Sequence, residues 1–370
     1  MKGIDPLFWK DKKVFITGVT GFKGSWLANW LVSLGAKVYG YSLDPPTVPN
    51  LFALSGLNEK IKFKNGDVRD LSTLRQSIAS CEPDIVFHLA AQPIVRQSYE
   101  EPILTYETNT IGTAILLEAV RGCSSVRAVI LITTDKCYDN KEWVWGYREI
   151  DPLGGYDPYS SSKACAELVV SAYRSSFFSP QEYGKEHHVA IASARAGNVI
   201  GGGDWAKDRI VPDTVKALMR GEPVTVRNPK AIRPWQHVLE PLCGYMMLAE
   251  KLYTVGPEYG EAWNFGPNSS DERSVEYLVK TLCAQWPDAE AQYRIESRPA
   301  DLHEAAYLKL DCSKARQELG WQPVWNLERA LKATVDWYAR FLGKRNMYES
   351  CIEQLAEYEE DARKKDERHV

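Results

Sequence analysis

The chain of 370 residues is 44% hydrophobic and 25% charged, which favours a folded soluble protein of two domains. Its 45 basic and 49 acidic side chains give a formal net charge of −4, so nucleic acid and anionic membranes are not expected as partners. The sequence contains neither a membrane-spanning run nor a signal-peptide core, and its eight cysteines lack metal-binding spacing. We therefore expect a cytoplasmic protein with free thiols and no bound metal.

Short apolar runs alternate with amphipathic stretches through the first 200 residues. In chain order, the predicted strands are 13–17, 37–41, 61–63, 84–89, 128–132 and 189–193. The predicted helices between them are 24–34, 71–79, 102–120 and 158–178. Strands that are buried on both faces and alternate with helices indicate a parallel, doubly wound sheet of the α/β class.

A glycine-rich turn joins the first predicted strand to the first predicted helix. Three glycines recur at every third position of the segment GVTGFKG, residues 18–24. Glycine lets the backbone turn sharply and approach a pyrophosphate, whose charge is stabilised by free amides and by the helix dipole. The turn therefore predicts a dinucleotide site. Its predicted contacts are Gly18, Thr20, Gly21, Phe22, Lys23 and Gly24.

Polar side chains near the ends of the next two strands indicate which dinucleotide is bound. Either Ser42 or Asp44 can accept hydrogen bonds from the adenosine ribose. No lysine or arginine lies between positions 40 and 50 to receive a 2′-phosphate, so NAD is favoured over NADP. Asp67, followed by Val68, ends the third strand, where a carboxylate can hold the adenine amino group. Capping of the next helix is nearly as good a role for Asp67.

The motifs and a change of pattern divide the chain. After the glycines at 201–203 the sequence becomes turn-rich, so we expect an NAD-binding Rossmann-type doubly wound sheet with a smaller C-terminal α/β substrate domain. The first domain takes residues 1–200 plus about 235–266, and the second takes about 201–234 and 267–345. Residues 346–370 are expected to form a charged helical tail that is solvated over 353–368.

A tyrosine and a lysine four residues apart open the helix predicted at 158–178. Tyr159 and Lys163 share one helical face, so the ammonium can lower the pKa of the phenol and let it act as a base near neutral pH. This spacing alone is common. It becomes specific beside the glycine turn and the segment Thr133-Thr134-Asp135, which ends a predicted strand.

With these motifs the chain resembles the extended short-chain dehydrogenase/reductase family from residue 18 to about 338. The segment TTDKCY, residues 133–138, looks like the signature of the nucleotide-sugar 4,6-dehydratases, which commonly have glutamate where Lys136 stands. Lysine at this position and the segments 143–155 and 233–241 make the chain similar to the family members that act on CDP-glucose. The resemblance implies an NAD-dependent hydro-lyase for this small-molecule substrate, on a path to a deoxysugar of a bacterial surface polysaccharide. It also implies a homodimer formed through helices 102–120 and 158–178.

The resemblance implies a role for each catalytic residue. Tyr159, beside Lys163, would take the proton of the sugar 4-hydroxyl while hydride leaves carbon 4, and the resulting ketone acidifies carbon 5. Neutral Lys136 would then remove the carbon 5 proton as protonated Asp135 supplied one to the departing 6-hydroxyl, before hydride returns to carbon 6. Such a pair needs opposite pKa shifts. An ion pair of Asp135 with Lys136 that only orders the loop is the alternative. Thr134 would hydrogen-bond the 4-oxygen or merely cap the strand end.

Further contacts follow from the same resemblance. Those implied for the dinucleotide are Leu89, Ala90, Ala91, Gln92, Thr108, Thr133, Tyr159, Lys163 and Arg195. Asn198 is implied for the sugar diphosphate, and Arg298 and His303 for another substrate-side loop. Arg209, Arg233 and His237 are implied for the diphosphate or the cytosine pocket, since guanidinium groups pair well with phosphate. A lone histidine such as His303 has a structural role as often as a binding one.

Two other functions compete with dehydration. A nucleotide-sugar 4-epimerase needs Tyr159 and Lys163 but no acid and base for elimination, so Asp135 and Lys136 argue against it. A non-catalytic NAD-binding regulator would keep the fold without needing these four side chains. Another nucleobase in a related dehydratase remains the closest alternative, because cytosine recognition depends on the shape of the pocket.

Overall fold

The structure is a computed structural model that describes residues 3–226, 228–287, 293–295 and 307–367. Two of the predicted substrate contacts, Arg298 and His303, lie outside the described residues. All the other predicted site residues lie within them.

Seven parallel strands form the central sheet in the order β11-β6-β5-β4-β1-β2-β3. These strands are β1 (Lys13–Thr17), β2 (Lys37–Ser42), β3 (Lys62–Asn65), β4 (Ile85–His88), β5 (Ala128–Ile132), β6 (Ala190–Ala196) and β11 (Ala262–Phe265). From β1 the chain adds β2 and β3 on one side of the sheet and then β4, β5 and β6 on the other. Sheets of this order bind ligands at the carboxyl ends of the strands, at the point between β1 and β4 where the order reverses. The predicted doubly wound α/β sheet is confirmed.

Helices pack on the sheet in two apolar layers. Val14 and Ile16 of β1 enter one buried cluster, whereas Phe15 between them enters the other, as side chains of a strand alternate between faces. The helices of this part are α1 (Pro6–Trp9), α2 (Phe22–Ser33), α3 (Leu51–Leu54), α4 (Leu57–Lys60), α5 (Leu71–Cys81), α6 (Val95–Glu100), α7 (Pro102–Tyr106), α8 (Gly112–Arg121) and α9 (Pro158–Ser176). A π-helical turn, Glu107–Ile111, joins α7 to α8, so the single helix predicted over 102–120 is interrupted.

The remaining elements form short sheets and a second helical layer. Strand β7 (Val199–Ile200) pairs with β10 (Gln236–His237), β8 (Val224–Val226) with β13 (Tyr293–Ile295), and β9 (Ile232–Pro234) with β12 (Glu272–Ser274). The helices are α10 (Ile210–Met219), α11 (Leu239–Thr254), α12 (Val275–Gln285), α13 (Leu327–Leu342) and α14 (Met347–Glu367). Because α11 contacts β5 and β6 and β11 pairs with β6, the chain returns to the central sheet after β10.

The C-terminal helix α14 is amphipathic rather than solvated all round, which corrects the expectation for residues 353–368. Cys351, Leu355 and Tyr358 are buried, and their spacing places them on one helical face. The helix contacts α2, and the indole of Trp30 donates a hydrogen bond to Glu359 at 2.8 Å. The high charge of the tail concealed this apolar stripe.

All eight cysteines are free thiols, as predicted. Across the described ranges, no cluster of three or more His, Cys, Asp or Glu side chains is arranged to hold a metal ion. None of the described helices has the length and apolar composition needed to cross a bilayer.

Candidate active site

The turn between β1 and α2 requires glycine at two positions. Gly18 has a φ of +72°, and a Cβ there would lie 2.6 Å from the amide nitrogen of Ala90. A Cβ on Gly24 would overlap the carbonyl oxygen of Gly18. Gly21 stands at the N-cap of α2 and supplies no side-chain cap, so the first-turn amides remain available to an anion. This cradle fits the pyrophosphate of a dinucleotide.

Gly24→Ala is expected to weaken NAD binding about tenfold or more, equivalent to about 1.4 kcal/mol. The added methyl group overlaps Gly18, so the turn must open. Titration calorimetry with NAD measures the effect. Gly122→Ala is a matched control, since Gly122 has an ordinary φ of −87° and a Cβ there would lie 3.8 Å from its nearest neighbour. Equal NAD affinity in the two variants would show that the turn does not hold the dinucleotide.

Ser42 and Asp44 lie in different surroundings beside this turn. The hydroxyl of Ser42 is buried and lies 2.7 Å from that of Thr20, which itself donates to the carbonyl of Leu43. Asp44 is exposed and accepts a hydrogen bond of 2.6 Å from Asn65. Ser42 therefore belongs to the wall of the cradle, and Asp44 lies at its rim.

Asp67 does not cap the helix that follows it. The N-cap of α5 is Asp70, whose carboxylate accepts from Thr73, so the capping alternative for Asp67 is wrong. Asp67 instead pairs with Arg69 at 2.6 Å, and hydrogen bonds from that guanidinium lower the pKa of its carboxyl group. Val68 next to it is buried.

The segment after β4 lies against the glycine turn and is tied to the π-helical turn. Ala90 contacts Gly18, as described above, and Leu89 and Ala91 flank it in the chain. The amide of Gln92 donates to the side chain of Asn109 at 2.8 Å, and Asn109 donates to Ser162 of α9 at 2.9 Å. Thr108 is half-buried in the π-helical turn. This hydrogen-bond network connects the segment after β4 to the helix that carries Tyr159.

Tyr159 and Lys163 come from the first two turns of α9. The helix is capped by Asp157, whose carboxylate accepts from the amide of Ser160 at 2.9 Å. The ammonium of Lys163 is buried and donates to the carbonyl of Ile132, at the end of β5, at 3.2 Å. The side chain of Thr134 is close enough to Tyr159 to act on the pKa of its phenol. The structure thus brings the predicted pair to the end of β5.

The electrostatics of this pair differ from the prediction. Burial raises the pKa of Tyr159 to about 12, while the nearby side chain of Thr134 and the charge of Arg209 act in the opposite direction. Burial also lowers the pKa of Lys163 to about 8. In the chain alone, Lys163 therefore does not bring the phenol towards neutral pH, because the loss of solvation outweighs the neighbouring cations.

Asp135 and Lys136 follow Thr134 in a single 3₁₀ turn, Asp135–Cys137. Asp135 is 2% exposed. One carboxylate oxygen accepts from Thr134 at 3.0 Å, and the other is buried with no hydrogen-bond partner in the described part of the chain. Lys136 is half-buried, and its ammonium forms no ion pair with Asp135 in the described structure. The second carboxylate oxygen of Asp135, which lies beside Tyr159, can accept a hydrogen bond from a sugar hydroxyl. Such a partner is expected because buried polar groups normally have one.

Arg209 and Lys23 add positive charge near Tyr159. Arg209 donates to Asp204 at 3.0 Å. Burial, followed by the charges of Arg209 and Lys163, lowers the pKa of Lys23 to about 7, while Asp135 acts in the opposite direction. These interactions place Lys23, in the first turn of α2, close to Arg209, at the N-cap of α10, and to Asp135. An excess of cations of this kind suits a diphosphate.

The other predicted substrate contacts are divided between the site edge and the interior. Asn198 is half-buried, and its carbonyl accepts from the amide of Gln236 at 3.1 Å. Arg233 is buried on β9 and donates to the carbonyl of Ile232 at 2.9 Å.

His237, predicted to contact the diphosphate or the cytosine, lies instead in the core, which corrects the prediction. It is fully buried between the rings of Trp26 and Trp325. Burial lowers the pKa of its imidazole to about 3, so it is uncharged. A neutral histidine in the core has no charge to offer a phosphate.

Arg195 and Thr133 also have roles other than the one predicted. Both bind Glu167: the hydroxyl of Thr133 donates to one oxygen, and the guanidinium of Arg195 pairs with the other at 2.8 Å. Arg195 is 3% exposed. Its polar atoms are therefore directed into the interior beneath the site and not towards a dinucleotide. Glu167 was not predicted as a site residue, although it stands four residues after Lys163 on the same helical face.

The strand order, with Tyr159 and Lys163 on one face of α9, defines the class of protein as a short-chain dehydrogenase/reductase. More narrowly, the family model described as GDP-mannose 4,6 dehydratase matches residues 15–334, and the chain belongs to that family. It is 54% identical over 357 residues to the CDP-glucose 4,6-dehydratase of Salmonella typhimurium, which covers 96% of this chain and 98% of the relative. It is 28% identical over 347 residues to a dTDP-glucose 4,6-dehydratase of Xanthomonas campestris, covering 87% and 92%.

Two solved structures are similar over most of the chain. The UDP-glucose 4-epimerase of Thermotoga maritima aligns with a TM-score of 0.74 at 25% identity and covers 89% of this chain and 99% of its own. A dTDP-glucose 4,6-dehydratase of Streptomyces venezuelae, solved with NAD bound, also aligns with a TM-score of 0.74, at 23% identity, covering 90% and 99%. The second likeness supports the Rossmann-type fold.

Proposed function

We propose that the chain converts CDP-D-glucose to CDP-4-dehydro-6-deoxy-D-glucose and water, with NAD as its cofactor. The observation that carries the proposal is the open, buried carboxylate oxygen of Asp135 beside Tyr159, with Lys136 next to it in the same turn. An acid and a base so placed serve an elimination, which an epimerase does not need. The likeness to the Salmonella enzyme supports the choice of nucleotide sugar.

The first half of the proposed reaction uses Tyr159 and Thr134. Tyr159 takes the proton of the sugar 4-hydroxyl, and Thr134, whose side chain lies beside Tyr159, holds the same oxygen. The bound dinucleotide supplies the hydride acceptor for the oxidation of carbon 4 and the donor for the later reduction of carbon 6. Arg209 acts on Tyr159 as a nearby cation and favours the phenolate.

The second half uses the 3₁₀ turn. The ketone at carbon 4 makes the proton on carbon 5 acidic, and neutral Lys136 removes it. Protonated Asp135 donates its proton to the 6-hydroxyl, which leaves as water, so that a double bond forms between carbons 5 and 6. Lys136 returns a proton to carbon 5 when carbon 6 is reduced. At the end Lys136 is neutral again, Tyr159 holds the proton of the 4-hydroxyl, and Asp135 lacks the proton that left with water. Transfer of one proton from Tyr159 to Asp135 therefore restores the starting states.

The dinucleotide and the substrate are held by different parts of the chain in this proposal. The glycine turn, with Ser42 and Asp44 at its side, holds NAD, and the open amides at the start of α2 support this role. Asn198, Arg209 and Arg233 are the described candidates for the nucleotide diphosphate. The positive charge around Arg209 supports such a contact.

We further propose that the protein is a homodimer in the cytoplasm. Helices α7 to α9, which were predicted to form the interface, expose the apolar side chains of Ile103, Ile111 and Leu168. Burying such side chains against a second copy is favourable. A single-chain mass in light scattering at micromolar concentration would count against the dimer.

The substrate is tested by incubation with CDP-glucose, UDP-glucose, dTDP-glucose and GDP-mannose in separate reactions. Mass spectrometry should detect the loss of one water, with the highest kcat/KM for CDP-glucose. Turnover of a non-cytidine sugar alone would contradict the assigned nucleobase. Formation of an isomer without water loss would instead indicate an epimerase.

A further inference from the structure

A buried ion pair lies directly beneath the 3₁₀ turn. Glu167 stands on α9 at the next helical repeat after Tyr159 and Lys163, and it is 4% exposed. One of its oxygens binds the guanidinium of Arg195, on β6, at 2.8 Å. Isolated charges are costly to bury, so each member of such a pair depends on the other. The pair therefore fixes β6 to the helix that carries Tyr159.

The same pair holds both ends of the turn. On the N-terminal side, Thr133 donates to Glu167, which also accepts from Ser193 at 2.7 Å. On the C-terminal side, Arg195 donates to the hydroxyl of Tyr138 at 2.8 Å. Only residues 134–137 lie between these two attachments, and they include Asp135 and Lys136.

The attachment at Tyr138 extends to β11. The hydroxyl of Tyr138 donates to Asn264 at 2.8 Å, and Asn264 donates to the carbonyl groups of Tyr147 and Asp311 at 2.8 and 3.1 Å. Tyr138 is 1% exposed and stacks on Tyr147. Its position is thus fixed by a polar and an apolar contact, and so is the end of the turn.

Glu167 is ionised in this setting. Burial alone raises the pKa of its carboxyl group, but the charge of Arg195 and the hydrogen bonds from Arg195, Ser193 and Thr133 outweigh burial, so that the pKa is lowered. The pair is neutral as a whole. It can hold the turn without adding a net charge next to Asp135.

We propose that the Glu167–Arg195 pair positions Asp135 and Lys136 for the elimination of water. This inference rests on the proposed function. Neither member of the pair touches the substrate in the proposed reaction, so both are positioning residues. Oxidation at carbon 4 depends on Tyr159, which its helix holds, and on Thr134 next to the N-terminal attachment, whereas elimination depends on Asp135 and Lys136 between the two attachments. Loosening the turn should therefore slow the second half of the reaction more than the first.

Tyr138→Phe is the variant that tests the proposal most cleanly. It removes the attachment of Arg195 to the end of the turn and keeps the ring that stacks on Tyr147. We expect kcat to fall about tenfold to a hundredfold with little change in KM, since a misplaced group slows a step by this order. Glu167→Gln should have the same effect, but it leaves Arg195 unpaired in the interior and can impair folding.

The diagnostic measurement is the pair of kinetic isotope effects from substrate with deuterium at carbon 4 and at carbon 5. In Tyr138→Phe the carbon 5 effect on kcat should rise and the carbon 4 effect should fall, because elimination becomes limiting. Tyr358→Phe is the matched control. It also removes a buried phenol hydrogen bond, of 2.8 Å to Glu240 between α14 and α11, and should leave both isotope effects as in the unsubstituted protein.

The outcomes separate this inference from the proposed function. The assay uses whichever nucleotide glucose the unsubstituted protein dehydrates, so a different nucleobase changes the proposed function and leaves the test intact. Unchanged isotope effects in Tyr138→Phe, with or without a loss of kcat, would overturn the positioning role. The same shift in Tyr358→Phe would also overturn it. If the unsubstituted protein dehydrates none of the four sugars, both proposals fail.

Discussion

Tyr159→Phe should lower kcat for the dehydration of CDP-glucose by about 100- to 10,000-fold, the usual contribution of a general base. The phenol is the group that takes the 4-hydroxyl proton, and phenylalanine keeps the ring but has no proton acceptor. The glycine turn is unaffected, so NAD affinity should change little. Mass spectrometry of the product measures the rate, and titration calorimetry measures NAD binding.

Tyr358→Phe is the control for this substitution as well. Tyr358 is buried on α14, and its hydroxyl donates to Glu240 of α11 at 2.8 Å. Its loss should leave the turnover of CDP-glucose near normal. Near-normal turnover in Tyr159→Phe, with NAD bound, would mean that another group accepts the proton from the sugar.

Lys136→Met should permit oxidation at carbon 4 and prevent the loss of water. Methionine approximates the length of the lysine stem but cannot take the carbon 5 proton, so we expect water loss to slow by about 100- to 10,000-fold. Quenched reactions with excess protein should contain the 4-ketone, two hydrogens lighter than the substrate. Deuterium exchange at carbon 5 in heavy water should be lost in the variant.

Lys141→Met provides the same chemical change away from the turn. Lys141 is exposed and pairs with Asp139 at 2.7 Å, a contact that contributes little to stability at a surface. This variant should dehydrate the substrate normally. Normal water loss in Lys136→Met would assign the base to a different side chain.

The central sheet was predictable because its strands have a simple signature. The run Ala128–Ile132 is apolar throughout and buried throughout, as expected of a strand covered by helices on both faces. The glycine turn was equally readable, since only glycine tolerates the φ of Gly18 and the contact at Gly24. Both features depend on neighbours in the sequence.

The features that were missed depend on contacts between distant segments. The π-helical turn at Glu107–Ile111 leaves no mark in helical periodicity, although it places Asn109 against Ser162. An arginine such as Arg195 is equally suited to phosphate and to a buried carboxylate, and only the position of Glu167 decides between them. His237 was assigned by motif, and the two tryptophans that enclose it come from α2 and from residue 325.

The pKa of Tyr159 shows a similar limit. Spacing on a helix predicts that a lysine and a tyrosine are neighbours, but it does not predict how deeply they are buried. Here burial governs both groups and raises the pKa of Tyr159 to about 12 while lowering that of Lys163 to about 8. The cation that acts on the phenol is Arg209, which follows it by fifty residues.

The proposed reaction is tested most directly with CDP-glucose that carries deuterium at carbon 4. Oxidation, elimination and hydride return within one site predict a product that has lost one water and carries the deuterium at carbon 6. Mass spectrometry and proton spectra of the sugar locate the label. Deuterium retained at carbon 4, or lost to the solvent while water is eliminated, would contradict the proposed reaction.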